Sequence, residues 1–280
     1  MPRIAAVFIL AALAAAGCAE DLVVTAAPPS SIGATTTTTT SVVVVPAPPV
    51  PIVETKVIPE VISMGPAVGD AVALTFDADL TPSMQARLRS GTVESYANMA
   101  VVDVLRQMDA PATIFFTGLW MEEYPAETAD IAADPRFELG THSQTHRAFR
   151  NGCYGLGVVP REEMEDEIRR PVTALSLVAP TATRYFRFPG LCHDDESLAA
   201  AASVGVTVVD GDGSGDAGGT SVDAIVDQTL RRAHPGSIIV MHLNGGDKAP
   251  LTDEALPRII DGLQARGLRP AKLSEVLAAR

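Results

Sequence analysis

Short apolar runs alternate with stretches of helical periodicity from Val68 to the end of the chain. The runs that predict strands are Ala71–Phe76, Ala112–Thr117, Phe137–Gly140, Tyr185–Phe188, Val206–Val209 and Ser237–Met241. Helices are predicted at about Ser95–Met108, around Trp120, Tyr124 and Ile131, and at Arg161–Val178, Asp195–Ser203, Ser221–Ala233 and Thr252–Arg266. A final segment, Leu273–Ala279, closes the chain. The Thr-, Pro- and Ser-rich segment after the first strand is predicted to be a loop. This repetition predicts an α/β fold, with a mainly parallel sheet that is closed or nearly closed.

The N-terminus has the pattern of an export signal. Residues 1–17 carry one early cation, Arg3, followed by the apolar run Ile4–Ala16, which is too short for a convincing membrane span. The small residues before Cys18 resemble a bacterial lipoprotein cleavage site, so Cys18 is a candidate lipid anchor. Ordinary cleavage, which would leave a soluble secreted protein, is the alternative. Either way, we expect an exported extracellular or cell-surface protein.

The next segment, residues 18–63, is rich in Thr, Pro, Val and Ala and has few charges and no aromatic residues. Such a composition forms no core and predicts a disordered, semi-rigid tether. The folded domain is therefore predicted at residues 64–280. The chain has a formal net charge of -13 and no stripe of Lys and Arg, which argues against nucleic acid as a partner.

Candidate chemistry lies at the ends of the predicted strands. Asp77 and Asp79 end the first strand, where an Asp-capped turn is the alternative interpretation. His142 and His146 follow the third strand, and a helical turn would place both imidazoles on one face. His242 follows the last strand. The carboxyl ends of parallel strands are where α/β folds gather functional groups, so these side chains are candidates for one site.

These residues resemble the motifs of one family, the polysaccharide deacetylases of the NodB-homology type, also called carbohydrate esterase family 4. The first motif resembles Thr75–Asp79, the second matches His142–His146, the third resembles Arg187–Pro189, and the fifth is approximated by Val240–His242. The resemblance spans about residues 68–278. It implies a single distorted (β/α) barrel of the NodB-homology type.

The resemblance also implies a metal site and a reaction. Asp79, His142 and His146 would bind a divalent metal, foremost Zn²⁺, with Co²⁺ or other divalent ions as alternatives. The implied reaction is hydrolysis of an N-acetyl group on a cell-wall or chitin-like glycan, which makes acetylated glycan, such as peptidoglycan, the expected partner.

Proton transfer is assigned by the same resemblance. Asp77 would be the general base, held ionised by a bidentate Arg187, and His242 would be the general acid. The backbone N–H of Gly190 would stabilise the oxyanion.

Three departures from the family pattern affect these assignments. Ala78 separates two aspartates that are usually adjacent, and Gly190 stands where the family has a Tyr, which removes a side-chain wall and suggests an open groove. The fourth motif has no clean match. Asp210, Asp212 and Asp216 lie in the right region, and Asp212 is favoured as the carboxylate that supports His242 or Arg187.

Two cysteines, Cys153 and Cys192, follow the second and third motifs, and in an oxidising compartment they are candidates for a disulfide, with buried thiols as the alternative. Other functions stay open. The domain could be a non-catalytic glycan-binding protein on a deacetylase scaffold, an O-deacetylase, or an amide hydrolase with another substrate. The sequence gives no indication of the oligomeric state.

Overall fold

The computed structural model describes residues 58–246 and 251–279. The predicted signal peptide, Cys18 and the predicted tether up to residue 57 lie outside the described residues.

Seven parallel strands form one sheet in the described part of the chain. They are β1 (Ala71–Ala78), β2 (Ala112–Phe116), β3 (Phe137–Thr141), β4 (Tyr185–Phe186), β5 (Thr207–Val208), β6 (Ile238–His242) and β7 (Arg269–Ala271). Their order is β5-β4-β3-β2-β1-β6, and β7 pairs with the start of β1. All eight residues of β1 are buried, as expected for a strand that has neighbours along both edges. The strands predicted from apolar runs are therefore confirmed, whereas β7 was not predicted.

An irregular segment after β5 closes the sheet against β6. The N–H of Asp212 donates to the Ile238 carbonyl at 3.2 Å, and the N–H of Val240 donates to the Ser214 carbonyl at 3.0 Å. Gly215 is essential to this approach, because a Cβ atom there would lie 1.7 Å from the Val240 carbonyl oxygen. The result is a distorted barrel, which confirms the predicted fold class.

Nine α-helices of the described residues surround the sheet. They are α1 (Pro82–Arg89), α2 (Met99–Gln107), α3 (Gly118–Glu123), α4 (Pro125–Ala132), α5 (Met164–Val178), α6 (Asp195–Val204), α7 (Val222–Arg232), α8 (Thr252–Ala265) and α9 (Leu273–Ala278). Among the described residues, none of the helices is both long and apolar enough to cross a membrane. The longest helices are amphipathic, and α8 buries the apolar face formed by Ala255, Leu256, Ile259, Ile260 and Leu263.

Two helix predictions were wrong. The predicted loop after β1 contains α1, which begins because the Thr81 hydroxyl accepts a hydrogen bond from the Met84 N–H and Pro82 takes the first helical position. The single helix predicted around Trp120 is split into α3 and α4 at Pro125, which has no N–H to continue the helix. Trp120 itself is fully buried, as predicted for a core residue.

The folded part of the chain begins before residue 64. Ile62, which was assigned to the tether, donates its N–H to the Val208 carbonyl at 3.0 Å and accepts from the Asp210 N–H at 2.8 Å. The chain therefore pairs with β5 two residues before the predicted domain boundary.

Candidate metal centre and active site

Strand β1 carries two carboxylates to the carboxyl end of the barrel. Asp77 and Asp79 are two residues apart in an extended segment, so their side chains leave the same side of the chain. Both are buried, with 4% and 8% of their surface exposed. The register of β1 with β6 places Asp77 directly opposite His242. Two adjacent strands thus bring three titratable groups to one end of the sheet.

The two histidines of the second motif lie in a loop and not in a helical turn, so that part of the prediction was wrong. Ser143 and His146 have positive φ angles of 64° and 55°, which breaks any helical path between His142 and His146. The Ser143 hydroxyl accepts from the His146 N–H at 3.1 Å and fixes the turn. The two imidazole centroids are 5.0 Å apart, so the loop still brings both rings to the same place.

Asp79, His142 and His146 form a cluster that fits a metal ion. Their ligand atoms all lie within 4.8 Å of one another. Asp79 Oδ1 is 3.4 Å from His142 Nε2 and 3.5 Å from His146 Nε2, yet this buried oxygen has no hydrogen-bond partner. His142 Nδ1 lies 2.8 Å from the Arg187 carbonyl oxygen and donates to it, which leaves Nε2 as an acceptor facing Asp79. One carboxylate and two neutral imidazoles suit a divalent cation of the Zn²⁺ type.

The electrostatics of the cluster also favour a cation. Burial lowers the pKa of His142 and lowers the pKa of His146 to about 4, so both rings are neutral at physiological pH. Burial raises the pKa of Asp79, and the attraction of His142 and His242 offsets this only in part. Ionising the buried Asp79 by itself costs free energy, but a bound cation would stabilise the ionised carboxylate.

Arg187 is fully buried and holds Asp77 in place. Its Nη1 donates to Asp77 Oδ1 at 2.8 Å and to the Thr75 hydroxyl at 2.9 Å, while its other nitrogens donate to the carbonyls of Val209 and Asp210. The predicted bidentate contact is therefore wrong, because the guanidinium shares its donors among four acceptors. Burial raises the pKa of Asp77, but Arg187, followed by the two histidines His142 and His242, outweighs it, and the net pKa is lowered.

Asp216 supports His242, which corrects the choice of Asp212. The Asp216 carboxylate lies 2.7 Å from His242 Nδ1, accepts from the His242 N–H at 2.8 Å, and accepts from the Thr252 hydroxyl at 2.6 Å. Burial lowers the pKa of His242, but the charge and hydrogen bond of Asp216, followed by the charges of Asp79 and Asp77, outweigh burial and raise the pKa to about 10. Asp212 instead accepts from the N–H and hydroxyl of Ser214. The pairing of residues 212–216 with β6 turns Asp216 toward His242 and keeps Asp212 within its own turn.

Gly190 lies in a short 3₁₀ turn, Pro189–Leu191, with a positive φ of 63°. The ring of Tyr154 lies beside it, with Cδ2 3.0 Å from where a Cβ atom of residue 190 would be. A disulfide joins Cys153 to Cys192 and ties the two loops together, which confirms the disulfide expected for these two cysteines in an oxidising compartment.

Two further residues support the site and were missed in the sequence. The Asn244 side chain accepts from the Asp79 N–H at 3.0 Å, which orients the loop that carries Asp79. Glu167, buried on α5, accepts from the N–H groups of Gln144 and Thr145, at 3.1 and 3.0 Å, and from the Thr145 hydroxyl at 2.8 Å. The sequence signal that could have found Glu167 is its position on the buried face of a helix. Charged residues are seldom fully buried unless they are paired, so this position implies a partner.

We expect Glu167→Ala to loosen the histidine loop. Four hydrogen bonds to a buried carboxylate are lost, one of them from Arg147 Nη2 at 2.7 Å. The uncovered N–H groups are left without partners, so the free energy of unfolding should fall by about 2 kcal/mol or more. Zn²⁺ affinity should fall about 10- to 100-fold, as for other residues that orient ligands. Thermal denaturation and calorimetric Zn²⁺ titration measure the two effects. Glu163→Ala removes an exposed partner of Arg147 and is the matched control, which should change neither quantity. Equal behaviour of the two variants would contradict this role.

A cavity of about 540 Å³ opens above the cluster. Its lining includes Asp79, His146 and His242, together with Gly155 and Leu156 on one loop and the small residues 217–219 on another. Two residues of the candidate metal centre and the protonated imidazole of His242 therefore face one opening, while the ion-paired Asp77 is buried beside them.

Solved structures with a similar fold include a peptidoglycan deacetylase and a pseudoenzyme of carbohydrate esterase family 4. The Bc1960 peptidoglycan N-acetylglucosamine deacetylase superposes with a TM-score of 0.64 at 24% identity, over 79% of this chain and 94% of that one. BA3943 from Bacillus anthracis, described as a family 4 pseudoenzyme, superposes with a TM-score of 0.63 at 22% identity, over 78% of this chain and 69% of that one. At these identities the likeness establishes the fold, which is that of a deacetylase barrel.

Comparisons of sequence identify the family to which this barrel belongs. A chitooligosaccharide deacetylase of Sinorhizobium fredii is 29% identical over 178 residues, which cover 60% of this chain and 79% of the relative. A peptidoglycan-N-acetylglucosamine deacetylase of Bacillus cereus is 26% identical over 170 residues, which cover 60% of this chain and 59% of the relative. The profile of the polysaccharide deacetylase family matches residues 65–209. The chain belongs to the polysaccharide deacetylase family, which confirms the resemblance and the predicted class of hydrolase.

Proposed function

We propose that this protein is a metal-dependent deacetylase that removes N-acetyl groups from peptidoglycan or a chitin-like glycan and releases acetate. The observation that carries the proposal is the Asp79, His142 and His146 cluster, set between the ion-paired Asp77 and the Asp216-bonded His242. The Sinorhizobium fredii and Bacillus cereus relatives, a chitooligosaccharide deacetylase and a peptidoglycan-N-acetylglucosamine deacetylase, support this substrate class.

The chain's own residues supply the proton transfers. Asp77 has a lowered pKa and is ionised at neutral pH, so it accepts a proton from the attacking water. His242 is protonated through Asp216 and gives its proton to the departing amine. The Gly190 N–H stabilises the oxyanion that develops on the acetyl group. A divalent cation bound by the cluster, Zn²⁺ or alternatively Co²⁺, would polarise the acetyl carbonyl and lower the pKa of the attacking water.

The assay measures acetate released from peptidoglycan, chitooligosaccharides and acetylxylan. We expect release from an N-acetylated glycan, its loss after chelation, and its return when Zn²⁺ is added to the stripped protein. Release from acetylxylan alone would instead establish an O-deacetylase. A bound Zn²⁺ without release from any acetylated substrate would refute the proposal and favour a glycan-binding role.

That glycan-binding role is the second candidate, because BA3943 shows that the same barrel occurs as a pseudoenzyme. The absence of a clean fourth motif also motivated it, but Asp216 supplies a carboxylate to His242 despite that absence. A binding protein would need neither a buried ion-paired base nor a supported acid, so the retained groups favour catalysis.

We further propose that the protein is exported and held at the cell surface through Cys18. This rests on residues 1–17, and an anchor beside the envelope favours peptidoglycan over environmental chitin as the substrate. Membrane fractionation compares wild type with Cys18→Ala. Equal partition of both proteins into the soluble fraction would contradict the anchor.

A further inference from the structure

The loop of residues 150–157 is fixed beside the candidate active site. The disulfide from Cys153 to Cys192 joins it to the segment that follows Arg187. The N–H of Leu156 donates to the Cys153 carbonyl at 2.9 Å, and the N–H of Ala148 donates to the Gly157 carbonyl at 2.8 Å. Covalent and backbone bonds therefore hold the tip of this loop in one position.

Tyr154 stands at that tip and is 85% exposed, whereas Tyr96 and Tyr124 are buried and Tyr185 is half-buried. Its φ angle is 47°, in the left-handed region that a residue with a bulky side chain seldom occupies. Burial cannot offset this unfavourable backbone, because the side chain is in water. Strained residues of this kind concentrate at binding sites.

The Tyr154 ring packs against Gly190. A Cβ atom at residue 190 would lie 3.0 Å from Cδ2 of Tyr154 and 2.7 Å from Cys153 Sγ, so only glycine leaves room for this arrangement. The next two residues, Gly155 and Leu156, line the same cavity as His146 and His242. The ring therefore lies beside Gly190, on the loop whose next two residues line the cavity.

We propose that Tyr154 is a sugar-binding platform whose ring packs against a pyranose ring of the glycan next to the residue being deacetylated. Pyranose rings present apolar C–H groups on their faces and hydroxyls around their edges, which complements an aromatic face with a polar tip. The inference rests on the proposed function and adds a subsite to it. Because Tyr154 lies next to the cavity lining and outside it, the ring binds a neighbouring sugar, and it therefore makes the enzyme selective for oligomers over the monomer.

The experiment compares wild type, Tyr154→Ala and Tyr154→Phe as Zn²⁺-loaded proteins on an N-acetylglucosamine pentamer, on N-acetylglucosamine and on 4-nitrophenyl acetate. We expect Tyr154→Ala to raise KM for the pentamer about tenfold with little change in kcat, as for the loss of an aromatic binding contact. Hydrolysis of 4-nitrophenyl acetate, which has no sugar, should be unchanged. Tyr154→Phe keeps the ring and should resemble wild type.

Binding is measured separately, by calorimetry of the pentamer with each protein. Leu177→Ala is the matched control, since Leu177 is also exposed, at 81%, but lies near the end of α5 and not on the loop of residues 150–157. If the wild type is active but Tyr154→Ala has the same pentamer kinetics and binding, the sugar-binding role of Tyr154 is overturned and the proposed function stands. A wild type that neither binds nor deacetylates any glycan would overturn the proposed function and the platform with it.

Discussion

Asp79→Ala is expected to lose both the bound divalent cation and the deacetylase activity. Asp79 Oδ1 faces both imidazoles and is buried without a hydrogen-bond partner, so it is the anionic member of the proposed ligand set. Without it, two neutral imidazoles remain, and these bind Zn²⁺ far more weakly than three ligands do. We expect no stoichiometric Zn²⁺ by elemental analysis and a fall in kcat/KM of several orders of magnitude.

Asp77→Asn is the matched variant that distinguishes the role of Asp77 from that of Asp79. Asn keeps an oxygen that can accept from Arg187, so the buried guanidinium retains a partner, but it cannot take a proton. Zn²⁺ should remain bound while kcat falls about 10²- to 10⁴-fold, the usual cost of removing a general base. The opposite pattern, with metal lost in Asp77→Asn and retained in Asp79→Ala, would exchange the two roles. Ala78, which separates the aspartates, is why this exchange has to be tested.

The sequence predicts which residues meet because parallel strands align their carboxyl ends. Asp77, His142 and His242 each end or follow a strand with a clear apolar run, and the observed register of β1 with β6 places Asp77 opposite His242. Once the resemblance gives the order of the strands, the proximity of these side chains can be predicted without information about side-chain packing. The pairing of Arg187 with Asp77 follows in the same way from the end of β4.

The details that the sequence could not give depend on long-range contacts. Asp212 and Asp216 lie in one glycine-rich segment, and only the pairing of that segment with β6 decides which carboxylate faces His242. Arg187 also donates to the Val209 and Asp210 carbonyls just after β5, and no local sequence pattern indicates these two contacts. The positive φ angles of Ser143 and His146 are likewise imposed by their surroundings, since neither residue type favours them strongly enough to predict a loop.

Asp216→Asn is expected to lower kcat about 10²-fold or more at neutral pH and to move the alkaline limb of its pH profile toward lower pH. Burial alone lowers the pKa of His242, and the negative charge of Asp216 is the largest effect that raises it to about 10. A general acid works only while protonated, so wild type should keep its acid form until the pH approaches that value. Without the charge, burial prevails, the pKa of His242 falls, and the ring loses its proton at a lower pH.

A cation bound at Asp79 sharpens this expectation. His242 Nε2 lies 4.0 Å from Asp79 Oδ2, so a neutralised Asp79 no longer helps to keep the ring protonated, and Asp216 carries most of that task. The measurement is kcat against pH for the Zn²⁺-loaded proteins, with Asp212→Asn as the control, because the Asp212 carboxylate bonds to Ser214. The alkaline limb of the control should coincide with that of wild type, whereas the limb of Asp216→Asn should lie lower by about two pH units or more. An unchanged limb in Asp216→Asn would mean that His242 is not the acid whose proton limits the reaction.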